Sequence, residues 1–284
     1  MAGFRSVREY ATAKTDGHVH TCSLRKVPSQ ASVAGWCVDL SMAAGNPKPQ
    51  YYASSPLIAA VLDGFSGIFH GDAKSPAKKA LSDVALCTPT AGLVGRYILL
   101  DYLLYYPFVD LDDTDPQTMD NTTTLPRYAD GYGVEAIMVC VAPTIGGGAF
   151  TYDYIDQDGN SKTSPVISFN TTATNIASLM TSQQAVASGG RIFLPKADGS
   201  TGIRSIVSTT LTSVSGGLAS IVLVKPLASF AVREINVPAE VSYLSMRFPG
   251  PPVIEDGAYL NLIANCAGSV AAGTLTGFLT FTWN

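Results

Sequence analysis

His18, His20 and Cys22 stand two apart in the stretch GHVHTC (17–22) and are the first residues in the chain whose types suggest chemistry. Alternate residues of an extended strand share a face, so two imidazoles and a thiolate would line up there as zinc ligands. A structural zinc needs a fourth donor, and the remaining histidine, His70, lies far along the chain in FHGD with Asp72. Without that donor the stretch reads better as the polar face of a strand.

Two acidic stretches raise the question of calcium. Asp110, Asp112, Asp113, Asp115 and Asp120 crowd one segment, and DQDGN (156–160) opens like a calcium loop. Neither has the glycine and terminal glutamate spacing of an EF-hand, and a turn at Asp158-Gly159 explains the second. Catalytic signatures are missing too: the chain has no GxSxG, HExxH or Walker loop, and IGGGA (145–149) precedes a strand pattern, not a helix. Asn121 and Asn170 each begin an Asn-Thr-Thr sequon, a match expected by chance in a threonine-rich chain. No residue has the setting of a catalytic group, a cofactor-binding group or a metal ligand, and a protein that is not an enzyme and needs no cofactor is expected.

The elements that hold these residues follow from composition and periodicity. Charged residues make up 14% of the 284 positions, well below the roughly 25% of an ordinary domain. Glutamate occurs at 9, 135, 234, 240 and 255, against 17 aspartates, and there are 26 glycines and 17 prolines. Glutamate and lysine coat exposed helices, whereas Asp, Gly and Pro punctuate turns, so the chain is expected to be mainly β with some α. A net charge of −4 without a basic stripe argues against nucleic acid as partner. No apolar run is long enough for a membrane span. Five widely spaced cysteines with no CxxC (22, 37, 87, 140 and 266) read as buried free thiols.

Residues 1–130 read as a mixed α/β region with capped helices. The pattern predicts a weak helix with Phe4, Val7 and Ala11 on one face, and a strand over 18–27 with His18, His20, Cys22 and Leu24 on one side. A short strand follows around Cys37. Helices are predicted from Ser55-Pro56 and from Ser75-Pro76, each with a serine N-cap and proline at the first helical position. The most apolar helix is predicted over 90–106, ended by Pro107. Residues 131–284 read as an antiparallel β-sandwich of jelly-roll type, with strands in 134–143, 149–169, 202–214, 217–227, 230–238, 240–248, 258–268 and 274–284. A short helix is predicted within 172–184. The two regions could also form one continuous domain. In the last strand, Leu275, Leu279 and Phe281 are predicted to face the core with Gly277 and Trp283. Phe278 is left on the opposite face among threonines.

Several blocks are familiar together: RKVPSQASVAGW, MAAGNP, YYASSPL, GIFHGD, LLDYLLYYPFVDLD, TLPRYADGYG, REINVPAEVS and DGAYLNLIANCAGSVAAG. They are similar to a group of tailed-bacteriophage proteins described as virion structural proteins, and the similarity covers nearly the whole chain. It implies assembly in a bacterial host cytoplasm and residence in a particle, and it transfers no catalytic residue. The expected role is a minor capsid or decoration (cement) protein that stabilises the head by binding the major capsid protein or neighbouring virion proteins. The alternative is a tail, connector or receptor-binding component, for which Tyr51, Tyr52, Tyr152 and Tyr154 are the candidate glycan-stacking residues. With 46% hydrophobic residues against 14% charged, too little polar surface is left for a comfortable monomer. A homo-oligomer, with a trimer favoured, is expected.

Overall fold

The computed structural model describes residues 4, 6–29, 31–169, 175–182, 190–243 and 251–284. Its elements begin with α1 (Val7–Thr15), β1 (Val19–Val27), β2 (Cys37–Asp39), β3 (Ala44–Asn46), β4 (Ala60–Val61), β5 (Lys79–Cys87) and β6 (Gly95–Asp110). They continue with β7 (Gln117–Thr118), β8 (Glu135–Ala142), β9 (Ala149–Asp156), β10 (Ser161–Thr163), β11 (Ile167–Ser168) and β12 (Ile203–Ser213). The last are β13 (Leu218–Val232), β14 (Ala239–Ser242), β15 (Val253–Ile254), β16 (Tyr259–Cys266) and β17 (Leu275–Trp283).

These strands form three antiparallel sheets among the described residues. The first runs β14-β5-β17-β1-β3, with β15 also on β5; the second runs β2-β16-β6-β13-β8, with β4 on β6; the third runs β10-β9-β12-β7, with β11 on β9. Each sheet takes strands from both sides of residue 130. The fold is mainly β, as the turn-rich composition implies.

The second sheet is the middle layer, and alternate residues of its strands serve two cores. In β8, Ile137 and Val139 join the core shared with Leu24, Val84, Leu279 and Phe281 of the first sheet. Ala136, Met138 and Cys140 join the core shared with Phe150, Tyr152, Tyr154 and Ile206 of the third. In β13, Val222 and Val224 go one way and Ile221 and Leu223 the other. A sheet covered on both faces needs apolar side chains at every position.

Three helix predictions are corrected, the first through that requirement. Residues 95–110 are the strand β6, buried almost without interruption; a continuous apolar run fits a buried helix and a doubly covered strand equally well. Lys79–Cys87 is the strand β5, paired with β17 along its length. Ala80, Leu81 and Val84 have helical spacing, but pairing with a neighbouring strand overrides so weak a preference. After Ser55-Pro56 the chain makes turns and enters the two-residue strand β4. Of the helix predicted in 172–184, residues 175–182 form turns and bridges to Val38 and Val139; the rest lies outside the described residues. The N-terminal helix is present, capped by Ser6, whose hydroxyl accepts from Glu9 N–H at 3.1 Å. Its buried face is Tyr10 and Ala13, while Val7 is exposed.

Candidate functional site

The histidine stretch forms β1, with His20, Cys22, Leu24 and Lys26 on its inward side. His18 stacks on Trp283 with ring centroids 5.8 Å apart, and His20 meets Phe69 edge-on at 5.2 Å. Cys22 is half-buried, and burial pushes its thiol up to about 11. Among the described residues no group of three His, Cys, Asp or Glu side chains is arranged to hold a metal ion. None of the five cysteines takes part in a disulfide. Burial also raises the thiols of Cys37, Cys140 and Cys266, the last two to about 12. The thiolate is the reactive form, so these are inert.

The aspartates build turns. Asp110 accepts from the N–H of Asp112, Asp113 from that of Asp115 and Asp120 from that of Thr122, each near 2.9–3.0 Å. Asp156 accepts from the N–H groups of Asp158 and Asn160 at the β9–β10 turn, where Gly159 has φ +86°. Asn121 spends its amide on the Ile206 carbonyl and accepts from the Tyr106 hydroxyl; Asn170 lies outside the described residues. Of the four candidate tyrosines, Tyr52, Tyr152 and Tyr154 are core residues and Tyr51 alone is exposed. The first three follow the inward face of their strands or loop and cannot stack on a glycan.

Three buried polar clusters centre on Asp39, Asp101 and His70. Asp39, at the end of β2, accepts from Ser41 N–H at 2.8 Å and from the hydroxyls of Ser41, Tyr52 and Tyr102 at 2.7, 2.5 and 2.7 Å. Burial pushes its carboxyl up against the pull of those donors. Lys26, buried nearby, donates to the carbonyls of Ala43 and Pro47; burial brings it down to about 8, with Asp39 acting the other way. Asp101 of β6 takes a two-pronged contact from Arg127, at 2.8 Å from Nε and 2.7 Å from Nη2, and accepts from Tyr259 N–H. Burial still pushes Asp101 up to about 6.

The third group centres on His70. Its Nε2 lies 3.0 Å from the Ala258 carbonyl and its Nδ1 2.9 Å from Lys79 Nζ. A carbonyl can only accept and an ammonium can only donate, so the proton sits on Nε2 and the ring is neutral. Burial, then the charge of Lys79, brings the imidazole down to about 4. Lys79 also donates to the carbonyls of Gly71 and Asp72 and lies 3.6 Å from Asp256, which accepts from the N–H groups of Lys74 and Ser75.

Arg127, Lys79 and Asp256 face one cleft of about 880 Å³, walled by residues 75–79, 126–130 and 254–256. A group that works as acid, base or nucleophile must be free to exchange a proton or electron pair with a substrate. Here the three charged groups spend their hydrogen bonds on the protein itself, so the cleft is a clasp between loops. A smaller, mostly apolar hollow of about 260 Å³ is walled by Pro28, Val38, Met42, Ala43, Val141 and Ile176, with Asp39 and Ser178 also in its wall. The surface carries large apolar side chains as well: Phe65, Ile145, Tyr51 and Phe278 are all exposed.

No helix among the described residues is long and apolar enough to cross a membrane. No protein-family model and no curated protein matches the chain. Among solved structures, the crystal structure of infectious bursal disease virus VP2 subviral particle aligns with 94% of this chain and 80% of that chain, at 9% identity and a TM-score of 0.14. A likeness that slight carries no argument.

Proposed function

We propose that the chain is a non-enzymatic structural component of a tailed-phage particle, a minor capsid or decoration protein that stabilises the head by binding the capsid lattice. The observation that carries this reading is the display of large apolar side chains, Tyr51, Phe65 and Ile145 in loops and Phe278 on a strand. Phe278 stands on the outer face of β17, paired across to Ser23 of β1 and Ala85 of β5, where only small or polar neighbours surround it. Side chains of this kind on fixed backbone are suited to burial against another protein. The sequence blocks described above supply the setting, and the paired state of the buried charges fits a protein that works by adhesion.

Removing the gene from a phage that encodes it tests the reading. Heads assembled without the chain should release their DNA at a lower temperature than complete heads, and purified protein added back should restore the difference. Heads of unchanged stability on particles that fail to join tails or to adsorb would favour the tail or receptor-binding alternative.

A further inference from the structure

Phe65 is the most exposed large apolar side chain among the described residues, at 89%, yet the loop that carries it is fixed. Ile68 N–H donates to the Leu260 carbonyl at 2.8 Å, and Phe65 N–H to Asp63 Oδ1 at 3.2 Å. A Cβ added at Gly64 would stand 2.8 Å from the Ala258 carbonyl oxygen, and one at Gly67 2.8 Å from the Leu260 nitrogen. The loop therefore runs flush against the start of β16, closer than any other residue type allows. A ring presented on fixed backbone loses little freedom when it is buried by a partner. The segment 61–72 carries Asp63 and Asp72 and no lysine or arginine.

A hole of suitable size lies on the same chain. The 260 Å³ apolar hollow reaches the surface at Ala44 and Tyr51, both exposed. A cavity of about 150 Å³ is enough to take up benzene, so a phenyl ring fits with room for its stem. The segment joining Ala44 to Tyr51 has one charged residue, Lys48, and it is exposed. Asp39, the acid in the wall, has its oxygens engaged by Ser41, Tyr52 and Tyr102, so its acceptor capacity is already used within the protein.

We propose that Phe65 of one copy seats in this hollow on a second copy, with Asp63 set against Lys48 across the contact. This rests on the assembly reading above and identifies the surface through which copies join. Each copy contributes one knob and one hole, so the contact can repeat head-to-tail, and it forms a ring when the rotation between copies closes.

Two variants at exposed positions test it without disturbing the core. Phe65→Asp removes the knob and keeps the hole; Ala44→Trp blocks the mouth of the hole and keeps the knob. In sedimentation of the purified full chain at micromolar concentration, the unaltered protein should run as a closed oligomer. Each variant should run as a monomer with an unchanged melting temperature, its self-association weakened roughly 30-fold or more, as for loss of a central anchor. An equal mixture of the two should give a species of two chains and nothing larger, because one working contact remains between them. An unaltered protein that sediments as a monomer, a variant that assembles like it, or a mixture that stays monomeric overturns the proposal. Absence of the chain from particles would instead sink the virion reading and leave a demonstrated Phe65 contact standing.

Discussion

His70 is held neutral from both sides, and this has a measurable consequence. Its ordinary value is 6.5 and in the fold it falls to about 4. The fold favours the uncharged ring, so the stability it contributes is complete above about pH 6.5 and is lost as pH falls toward 4. In His70→Gln, which keeps an N–H for the Ala258 carbonyl, that loss does not occur. Urea unfolding at about pH 7.5 and about pH 4.5 should show the advantage of the unaltered protein over the variant shrinking by about 2–3 kcal/mol; a constant advantage would contradict the assignment. Asp101, whose raised carboxyl shifts stability the opposite way over the same range, is present in both proteins and cancels. The Asp101–Arg127 pair makes a second prediction. Arg127→Met should cost about 3–5 kcal/mol because it strands a buried carboxylate, and the double variant Asp101→Leu/Arg127→Met should cost less than the single one. Denaturant midpoints of the two variants decide it. Asp101 is legible in the sequence: an aspartate inside YILLDYLLYY must be paired if the run is buried. Isolated charges form no cluster in the sequence, and their partners come from distant segments.

At the scale of elements, legibility followed the number of covered faces. β9 and β17 are covered on one side, so their apolar residues alternate and the strands can be read directly. Leu275, Leu279 and Phe281 are fully buried, as the alternation requires, and Phe278 points outward. β6 is covered on both sides, loses its alternation and resembles a helix. Its neighbours in the middle sheet stayed readable because β-branched residues and nearby glycines mark them as strands. β17 lies between β5 and β1, pairing with both along its length. Burial of its three core side chains contributes roughly 1.5–3 kcal/mol each, comparable in sum to a domain's whole net stability of about 5–15 kcal/mol. Deleting residues 275–284 should therefore abolish soluble expression; a truncated protein with an unaltered melting curve would refute the central placement of this strand.

Across the whole molecule, strands distant in sequence close each layer: β1 pairs with β17, and β6 with β13 and β16. Such a fold spends its apolar residues on two cores and still leaves Phe65, Ile145 and Phe278 outside. The composition anticipated that surplus, since 14% charged residues cannot cover the surface. Where the surplus lies depends on loop placement, which no periodicity encodes. The measurement that bears most directly on the account is the amount of this chain in purified particles of a phage that encodes it, set against the major capsid protein by quantitative peptide mass spectrometry. The expected result is a copy number in fixed proportion to the capsid lattice, retained through washing and gradient purification. A few copies per particle would move the chain to the connector or tail, and its absence from particles would contradict the account outright.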